Sequence, residues 1–143
     1  MADRTARVTW SGSLMEGDGT IESVGSGAFG PLDVTWAARA EDSNGLTSPE
    51  ELIAAAHAAC FSMALSLGLA NAGTPPHRLE TSATVTFIPG TGITKSALAV
   101  RGTVPGMEEN AFLEAANAAK ENCPVSKALA AVPEITLEAS LAS

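Results

Sequence analysis

The sequence of 143 residues predicts an α+β fold. Three strand-like segments precede one long helical segment, two more strand-like segments are joined by a short turn, and helices precede a last strand. Strands that are joined by a tight turn pair antiparallel. We therefore predict antiparallel strands around a long central helix, in a single domain that covers residues 1–143.

Alternation of apolar and polar residues predicts three strands in the first third of the chain. The first runs from Arg4 to Ser11, and the second is a short strand at residues 20–24. A flexible loop at residues 25–30 separates it from a third strand at residues 32–39. In this interpretation Arg39 stands at the end of the third strand.

The long helix has well-marked ends. Ser48 is a suitable N-cap, Pro49 fits the first helical position, and Glu51 stands where a capping box places an acid. The Gly-Thr-Pro-Pro segment at residues 73–76 is expected to end the helix near Asn71. Apolar residues occupy most of the circumference, so we predict that a second subunit covers part of this helix.

The second half of the chain alternates again and then turns helical. In order, we predict a strand at residues 79–88, a turn at 89–92, a strand at 93–104, a helix at 108–120, a short helix from Cys123-Pro124 to Ala130, and a strand at 135–141. The turn makes the first two of these strands a hairpin.

Composition excludes several classes of function. The net charge is −8 and no run of Lys or Arg occurs, which argues against binding to nucleic acid. The first seven residues contain no apolar signal-peptide core, and His57 interrupts the longest apolar run, so we expect neither a leader nor a membrane span. The expected compartment is the cytoplasm, where cysteines are more often catalytic, redox-sensing or metal-binding than paired in structural disulfides.

The two cysteines have different surroundings. Cys60 lies within the apolar helix, where an isolated thiol is most often a small core residue. Cys123 comes directly before Pro124 and is the predicted N-cap of the short helix, where the helix dipole and free N–H groups favour a thiolate. Two such thiols, without any other candidate site, suggest redox chemistry.

Other interpretations of these residues stay open at this point. His57 shares a helix face with Cys60, which permits a Cys–His nucleophile pair. A zinc site could combine His57, Cys60, His77 and Cys123, although zinc ligands are usually more closely spaced in pairs. A packed or solvated histidine is the simpler interpretation of His57. Similarly, Arg39 could be an exposed residue.

Three segments resemble the family of osmotically inducible protein C (OsmC) and organic hydroperoxide resistance proteins (Ohr). Residues 48–66, SPEELIAAAHAACFSMALS, resemble its hallmark helix, and residues 122–129, NCPVSKAL, resemble its second hallmark. Residues 38–42, ARAED, resemble the arginine-bearing strand of the OsmC branch. The resemblance extends over nearly the whole chain and favours the OsmC branch, although Ala40 stands where many members carry an aromatic residue.

The resemblance implies a thiol peroxidase of the oxidative or osmotic stress response. It assigns attack on an organic hydroperoxide or hydrogen peroxide to Cys60, and resolution of the resulting sulfenic acid into a disulfide to Cys123. Arg39 and Glu50 would tune the first thiol. It further implies an intertwined homodimer with sites at the interface, a dihydrolipoyl protein or other dithiol as reductant, and no metal or prosthetic group.

These roles agree with elementary chemistry. An always-charged guanidinium can lower a thiol pKa, and a carboxylate can hold that guanidinium through two hydrogen bonds. Glu50 and Cys60 are ten residues apart on one helix, about 15 Å along its axis, so they cannot touch directly. Either an arginine spans the gap, or Glu50 serves the site of the other subunit.

Two rival functions follow from the same residues. One is a non-catalytic, stress-associated dimer that binds a small hydrophobic ligand in the pocket of such a fold. The other is a zinc-binding protein. The presence of both cysteines together with Arg39 and Glu50 favours the peroxidase.

Overall fold

The structure is a computed structural model that describes residues 1–142. The chain forms two compact units, the first spanning Met1–Leu52 and the second beginning at Ile53. Each unit has one three-stranded sheet. Helices and strands occur in the predicted order apart from one additional short helix, and the predicted α+β class is confirmed.

The sheet of the first unit is antiparallel throughout. Its strands are β1 (Ala6–Ser11), β2 (Asp18–Val24) and β3 (Leu32–Val34), in that spatial order. All six residues of β1 are exposed, including the apolar Val8 and Trp10. The apolar face that alternation predicts for this strand is therefore left uncovered by residues 1–142.

The predicted third strand is too long. It ends at Val34, and residues 36–40 form a short helix, α1 (Trp36–Ala40). The cause is Thr35, which is extended and accepts a hydrogen bond from the Ala38 N–H at its Oγ1 atom, 3.1 Å away. Such a side-chain bond to the backbone starts a helix in a segment whose apolar alternation favours a strand. Arg39 consequently lies in the last turn of a helix and not at the end of a strand.

The long helix, α2 (Pro49–Asn71), begins and ends as predicted. At its start the Glu51 N–H donates to the Ser48 hydroxyl over 3.2 Å. At its end Gly73 adopts the left-handed conformation with a φ of 85°. The N–H groups of Gly73 and Thr74 then bond the carbonyls of Ala70 and Leu69, which is a Schellman motif.

One stripe of α2 is completely buried. Its members follow each other at four-residue intervals: His57, Phe61, Leu65 and Leu69. Elsewhere on the helix Met63 is 73% exposed and Leu67 is 64% exposed. The helix is therefore apolar on faces that the described residues do not bury.

By length and composition alone, α2 could cross a membrane, since its apolar window has a mean hydropathy of 1.8. His57 therefore does not interrupt the apolar run as effectively as expected. The core helix of a soluble protein passes the same test. A fully buried, hydrogen-bonded histidine in the middle of the helix is typical of such a core.

The sheet of the second unit is mixed. Its strands are β4 (Arg78–Ile88), β5 (Gly92–Thr103) and β6 (Glu134–Leu141), with β5 in the centre. The β4–β5 hairpin is antiparallel as predicted, but β6 runs parallel to β5. The expectation of antiparallel pairing is wrong for this strand.

The physical reason lies in the connection. Two helices, α3 (Glu109–Asn122) and α4 (Pro124–Ala128), separate β5 from β6. A connection of this length can return the chain to the end of the sheet from which β5 started, as a parallel pairing requires. The core of the unit joins the buried stripe of α2 with side chains from the sheet and from α3, among them Leu98, Val100, Phe112 and Ala116.

Candidate active site

Within the first unit, Arg39 of α1 and Glu50 of α2 form an ion pair. The Arg39 Nη2 and Nε atoms lie 2.8 and 2.9 Å from Glu50 Oε1, and Nε is 3.2 Å from Oε2. Glu50 is only 6% exposed and sits in the first turn of α2, where the helix dipole favours a carboxylate. Charge-assisted bonds of this geometry fix the guanidinium in direction as well as in place.

The guanidinium forms part of the wall of a pocket of about 400 Å³. The other lining residues are mainly apolar and include Trp10, Leu14, Val34, Trp36 and Pro49. The Arg39 side chain retains about a third of its exposure, at 32%. An apolar molecule with one polar end could place that end beside the guanidinium.

The structure brings the two cysteines together within the second unit. Both are free thiols, and each of them shifts the pKa of the other. Cys123 has no solvent exposure, whereas Cys60 on α2 is partly exposed. The pair was not evident from the local sequence, because the residues belong to elements that meet only through packing.

Cys60 opens onto an apolar groove between α2 and α3. The groove has a volume of about 700 Å³, and its lining includes Met63, Leu67, Ala115, Ala119 and Asn122 as well as Cys60. Cys123 is not part of the lining and lies behind it in the core. A reactant in the groove therefore meets the Cys60 sulfur.

Burial is the main influence on the Cys60 thiol and raises its pKa. The hydrogen bond to Cys123 raises this pKa further, while the Val125 N–H partly opposes both effects. A thiol in this environment needs a nearby positive charge to become a thiolate near neutral pH.

For Cys123 the balance is reversed. Burial acts to raise the Cys123 pKa, but the Cys60 thiol, the N–H and hydroxyl of Ser126 and the Val125 N–H together lower it. As predicted, Cys123 is the N-cap of α4 with Pro124 in the first turn, although its side chain makes no capping hydrogen bond of regular geometry. Each thiol influences the other, so the two protons are lost as a pair and not independently.

His57 is packed in the core with both ring nitrogens engaged. Nδ1 lies 2.7 Å from the Ser96 hydroxyl, and Nε2 lies 2.8 Å from the Ser126 hydroxyl. Because these contacts occupy both nitrogens, His57 is not the direct base of Cys60. Burial lowers the His57 pKa, so the ring is neutral at physiological pH.

The zinc alternative finds no matching geometry in the described chain. Within residues 1–142 no cluster of three or more His, Cys, Asp and Glu side chains could hold a metal ion. His77 is exposed, and both nitrogens of His57 bond serine hydroxyls.

The sequence did not predict that Ser96 and Ser126 are the hydrogen-bond partners of His57. Ser126 carries a signal in retrospect, since it stands three residues after the N-cap Cys123 and thus above it in the first helical turn. Ser96 carries none, because a serine in a β-strand gives no sign of which distant side chain it contacts.

Comparison with known proteins relates this arrangement to a family. The profile of OsmC-like proteins matches residues 41–138, a span that contains Glu50 and both cysteines. The chain belongs to the OsmC family. Over 137 residues it is 44% identical to a protein of Escherichia coli named peroxiredoxin OsmC. The matched segment covers 94% of this chain and 93% of that protein.

Solved structures of OsmC and Ohr proteins share the fold. The organic hydroperoxide resistance protein OhrB of Bacillus subtilis matches with a TM-score of 0.62 and 26% identity, covering 96% of this chain and 98% of its own. The organic hydroperoxide resistance protein OsmC of Legionella pneumophila matches with a TM-score of 0.63 and 21% identity, covering 97% of each chain. Within this OsmC-family chain, α2 is accordingly the core helix of a soluble protein.

The buried neutral His57 predicts a specific pH dependence of stability. Its folded-state pKa is depressed, so the unfolded chain takes up a proton as the pH falls below about 6.5 while the folded chain does not. The free energy of unfolding should therefore fall on acidification through this window, by up to about 1.4 kcal/mol per pH unit from this group. His57→Gln should be less stable at neutral pH and should lose this part of the acid sensitivity.

Urea unfolding at two pH values, at one fixed protein concentration, measures the effect. His77→Gln is the matched control, because it removes the other histidine at an exposed position. An equal loss of stability on acidification in wild type and His57→Gln would contradict the buried neutral state.

Proposed function

We propose that this OsmC-family protein is a thiol peroxidase in which Cys60 attacks the peroxide. Cys123 then resolves the resulting sulfenic acid. The whole chain acts as one functional domain. The observation that carries the proposal is the position of Cys60 in the wall of an apolar groove, with the buried Cys123 thiol near enough to shift the Cys60 pKa. The 44% identity to a protein named peroxiredoxin OsmC supports the reaction class.

The first step is oxidation of Cys60. Its thiolate attacks one peroxide oxygen, an S–O bond forms, and the O–O bond breaks. The departing oxygen leaves as an alkoxide, or as hydroxide from hydrogen peroxide, and takes up a proton. The products are the Cys60 sulfenic acid and an alcohol or water.

The second step closes the disulfide. The Cys123 thiolate attacks the Cys60 sulfur, the S–O bond breaks, and hydroxide leaves as water after protonation. The influence of each thiol on the pKa of the other supports this step, because thiols that interact in this way lie close together before oxidation. An external dithiol, for which we propose a dihydrolipoyl protein, then reduces the disulfide and becomes oxidised itself.

Arg39 and Glu50 are proposed to activate Cys60. Burial raises the Cys60 pKa, and the one opposing influence within the second unit is the Val125 N–H, which is not a full charge. Arg39 supplies a positive charge that Glu50 already holds in a fixed direction. A planar guanidinium can also bind the peroxide oxygens while it stabilises the thiolate.

The substrate class follows from the walls of the groove. Its lining side chains are mostly apolar, and such walls stabilise an alkyl group through burial. We propose organic hydroperoxides as the preferred substrates, with hydrogen peroxide small enough to use the same site. The cytoplasm, where dithiol reductants keep thiols reduced, is the proposed compartment.

Assembly as a homodimer is part of the proposal. Met63 and Leu67 of α2 are exposed apolar side chains beside Cys60, and Val8 and Trp10 of β1 are uncovered in the first unit. Surfaces of this kind are typical of interfaces between subunits. A second copy of the chain could bury them and could supply Arg39 and Glu50 to the partner's Cys60.

The alternative of a non-catalytic ligand-binding dimer is less favoured. A protein that only bound a hydrophobic molecule would not need a thiol in the wall of the groove with a second thiol behind it, or a carboxylate-held guanidinium. The comparison with peroxiredoxin OsmC also favours catalysis.

Replacing each cysteine separates the two chemical roles. Cys60→Ser should abolish turnover, because it removes the attacking sulfur. Cys123→Ser should consume about one peroxide per site and then stop as the sulfenic or a more oxidised acid, because no resolving thiol remains. Peroxide consumption with a lipoyl dithiol, combined with intact-mass measurement, distinguishes these outcomes. If the Cys123→Ser variant turned over peroxide repeatedly at the wild-type rate, Cys123 would not be the resolving cysteine.

Replacing Arg39 tests the activation of Cys60. Arg39→Ala should slow alkylation and peroxide attack at neutral pH by about tenfold or more, because one unit of pKa corresponds to a tenfold change in thiolate. Arg39→Lys should rescue poorly, since an ammonium cannot form the planar two-point contact. The exposed Arg101 provides the control, and Arg101→Ala should react at the wild-type rate. An unchanged alkylation rate in Arg39→Ala would reject the assignment.

Mixing of subunits tests the dimer. We expect the unfolding midpoint to rise with protein concentration, as it does for an obligate dimer. Refolding Cys60→Ser with Glu50→Ala chains gives heterodimers in which one site keeps its own Cys60 and the partner's Glu50. Recovered activity assigns Glu50 to the partner's site, while no recovery assigns it to its own chain. A stable, active monomer in sedimentation at assay concentrations would contradict the dimer.

A further inference from the structure

A tether of three buried side chains joins three elements of the second unit. His57 on α2 has Nδ1 2.7 Å from the Ser96 hydroxyl on β5 and Nε2 2.8 Å from the Ser126 hydroxyl on α4. His57 and Ser96 have no solvent exposure, and Ser126 is 6% exposed. In either neutral tautomer one ring nitrogen donates and the other accepts, so the ring can bond both hydroxyls at once. The peroxidase reaction described above assigns no role to this tether.

The tether is a main anchor of the short helix α4. Of the five described residues of this helix, Ser126 is the only buried one, and its hydroxyl bonds His57. The others are exposed, except for the partly buried Val125, which packs against the apolar core. A helix of about one turn is not stable by itself and depends on its tertiary contacts. One buried hydrogen bond is therefore a large part of what holds α4 in place.

The other two ends of the tether lie on well-supported elements. Ser96 belongs to β5, the central strand of the second sheet, which pairs with β4 on one side and with β6 on the other. His57 belongs to the completely buried stripe of α2. Elements with more buried contacts open less readily than a short exposed helix. The position of α4 is accordingly set by α2 and β5.

Both ends of the bond between α2 and α4 are close in sequence to a cysteine. His57 precedes Cys60 by three residues on α2, and Ser126 follows Cys123, the N-cap of α4, by three residues. Three residues are nearly one helical turn, about 4.5 Å along the axis. The Lys127 N–H bonds the Cys123 carbonyl, so the Cys123 backbone belongs to the first turn of α4 and moves with it.

Packing places the two cysteines on either side of the same helix contact. Asn122 and Pro124, the neighbours of Cys123 in the chain, line the groove together with Cys60. Cys60 also packs against the core cluster in which Cys123 is completely buried. A disulfide requires the two Cβ atoms to lie about 4 Å apart, so a small displacement of α4 would hinder its formation.

We propose that His57, Ser96 and Ser126 are positioning residues for disulfide formation: their tether holds the first turn of α4 against α2, so that Cys123 stays within bonding distance of Cys60. The role of the tether in turnover rests on the proposed peroxidase function, whereas its effect on the disulfide can be measured without a peroxide. None of the three residues lines the groove, and none exchanges a group with the substrate.

In the peroxidase cycle, the tether acts on the fate of the Cys60 sulfenic acid. Attack by the Cys123 sulfur forms the S–S bond, breaks the S–O bond and releases hydroxide, which leaves as water after protonation. Attack of the sulfenate on a second peroxide forms a second S–O bond, breaks the O–O bond and releases an alcohol or water. The product is a sulfinic acid that a dithiol does not reduce. By keeping Cys123 close, the tether favours the first reaction.

The test measures the equilibrium between the Cys60–Cys123 disulfide and a mixture of reduced and oxidised lipoamide, by intact mass after the free thiols are alkylated. Without the tether, α4 gains freedom in the reduced protein, whereas the disulfide still holds it in the oxidised protein. Ser126→Ala should therefore lower the equilibrium constant for disulfide formation by about tenfold, an effect of the size of one buried hydrogen bond.

Ser62→Ala is the matched control. Ser62 also lies on α2, but its hydroxyl bonds the Thr81 hydroxyl on β4 over 2.7 Å and thus joins α2 to a strand instead of α4. Its removal costs a hydrogen bond of the same kind, and the disulfide equilibrium should stay at the wild-type value. Equal equilibrium constants in Ser126→Ala and Ser62→Ala would overturn the proposal.

A double-mutant cycle shows whether Ser126 acts through His57. His57→Phe retains an aromatic ring and removes both hydrogen bonds, so it should lower the equilibrium constant as Ser126→Ala does. Adding Ser126→Ala to His57→Phe should then have no further effect, because both changes remove the same bond. A full additional effect would overturn the proposal, since Ser126 would then act without His57.

Ser96→Ala keeps the test decisive if His57→Phe does not fold. This change leaves the bond between His57 and Ser126 in place and releases only the other side of the ring. A smaller decrease of the equilibrium constant in the same direction is expected. A wild-type value in Ser96→Ala would overturn the three-residue tether.

The consequence for turnover is measured with increasing concentrations of an alkyl hydroperoxide and a lipoyl dithiol. In Ser126→Ala the peroxide concentration that converts half of Cys60 to sulfinic acid should fall about tenfold, with the rate of the first oxidation of Cys60 unchanged. A wild-type concentration would overturn the role in turnover. A shifted disulfide equilibrium in proteins that do not reduce peroxides would instead retain the tether and reject the peroxidase.

Discussion

The buried stripe of α2 is the constraint on which the site depends. His57, Phe61, Leu65 and Leu69 have no exposure, and their packing fixes the rotation of the helix about its axis. Cys60 lies directly before Phe61, so it is held at the edge of the stripe, partly buried and partly open to the groove. A rotation that exposed Cys60 fully would bring large apolar side chains into water, which is strongly unfavourable.

The same packing determines how the two thiols differ. Cys123 is placed at the start of α4, where N–H groups and the Ser126 hydroxyl favour negative charge despite complete burial. Cys60 has fewer such donors, and burial raises its pKa. In the proposed reaction the buried thiol is the resolving nucleophile and leaving group, and the accessible thiol is the one for which we propose activation by a guanidinium.

The histidine in the stripe illustrates how a polar group can be part of a core. Its two nitrogens bond two serine hydroxyls, and no buried side-chain nitrogen or oxygen among residues 1–142 is left without a partner. Because no water is needed to satisfy the ring, the region behind Cys123 can stay dry. In a dry region a single hydroxyl influences a thiolate more than it would in solvent.

Several elements of this structure could be predicted from interactions between residues that are close together in the sequence. Ser48, Pro49 and Gly73 mark the ends of α2, because caps and left-handed turns depend on a few neighbouring residues. The hairpin of the second sheet and the N-cap position of Cys123 follow from equally short segments. The motifs around both cysteines also identified the family, which the comparisons confirm.

Other features depend on contacts between distant segments and were decided only by the tertiary structure. The parallel pairing of β6 depends on where the helical connection returns the chain, and the side-chain bond of Thr35 overrides an alternation that favours a strand. The bonds of His57 to Ser96 and Ser126 join three separate elements. The sequence by itself therefore determined which residues could do redox chemistry, while packing decided which thiol is accessible and in which direction the pKa of each thiol moves, because burial and hydrogen-bond donors exist only in the folded chain.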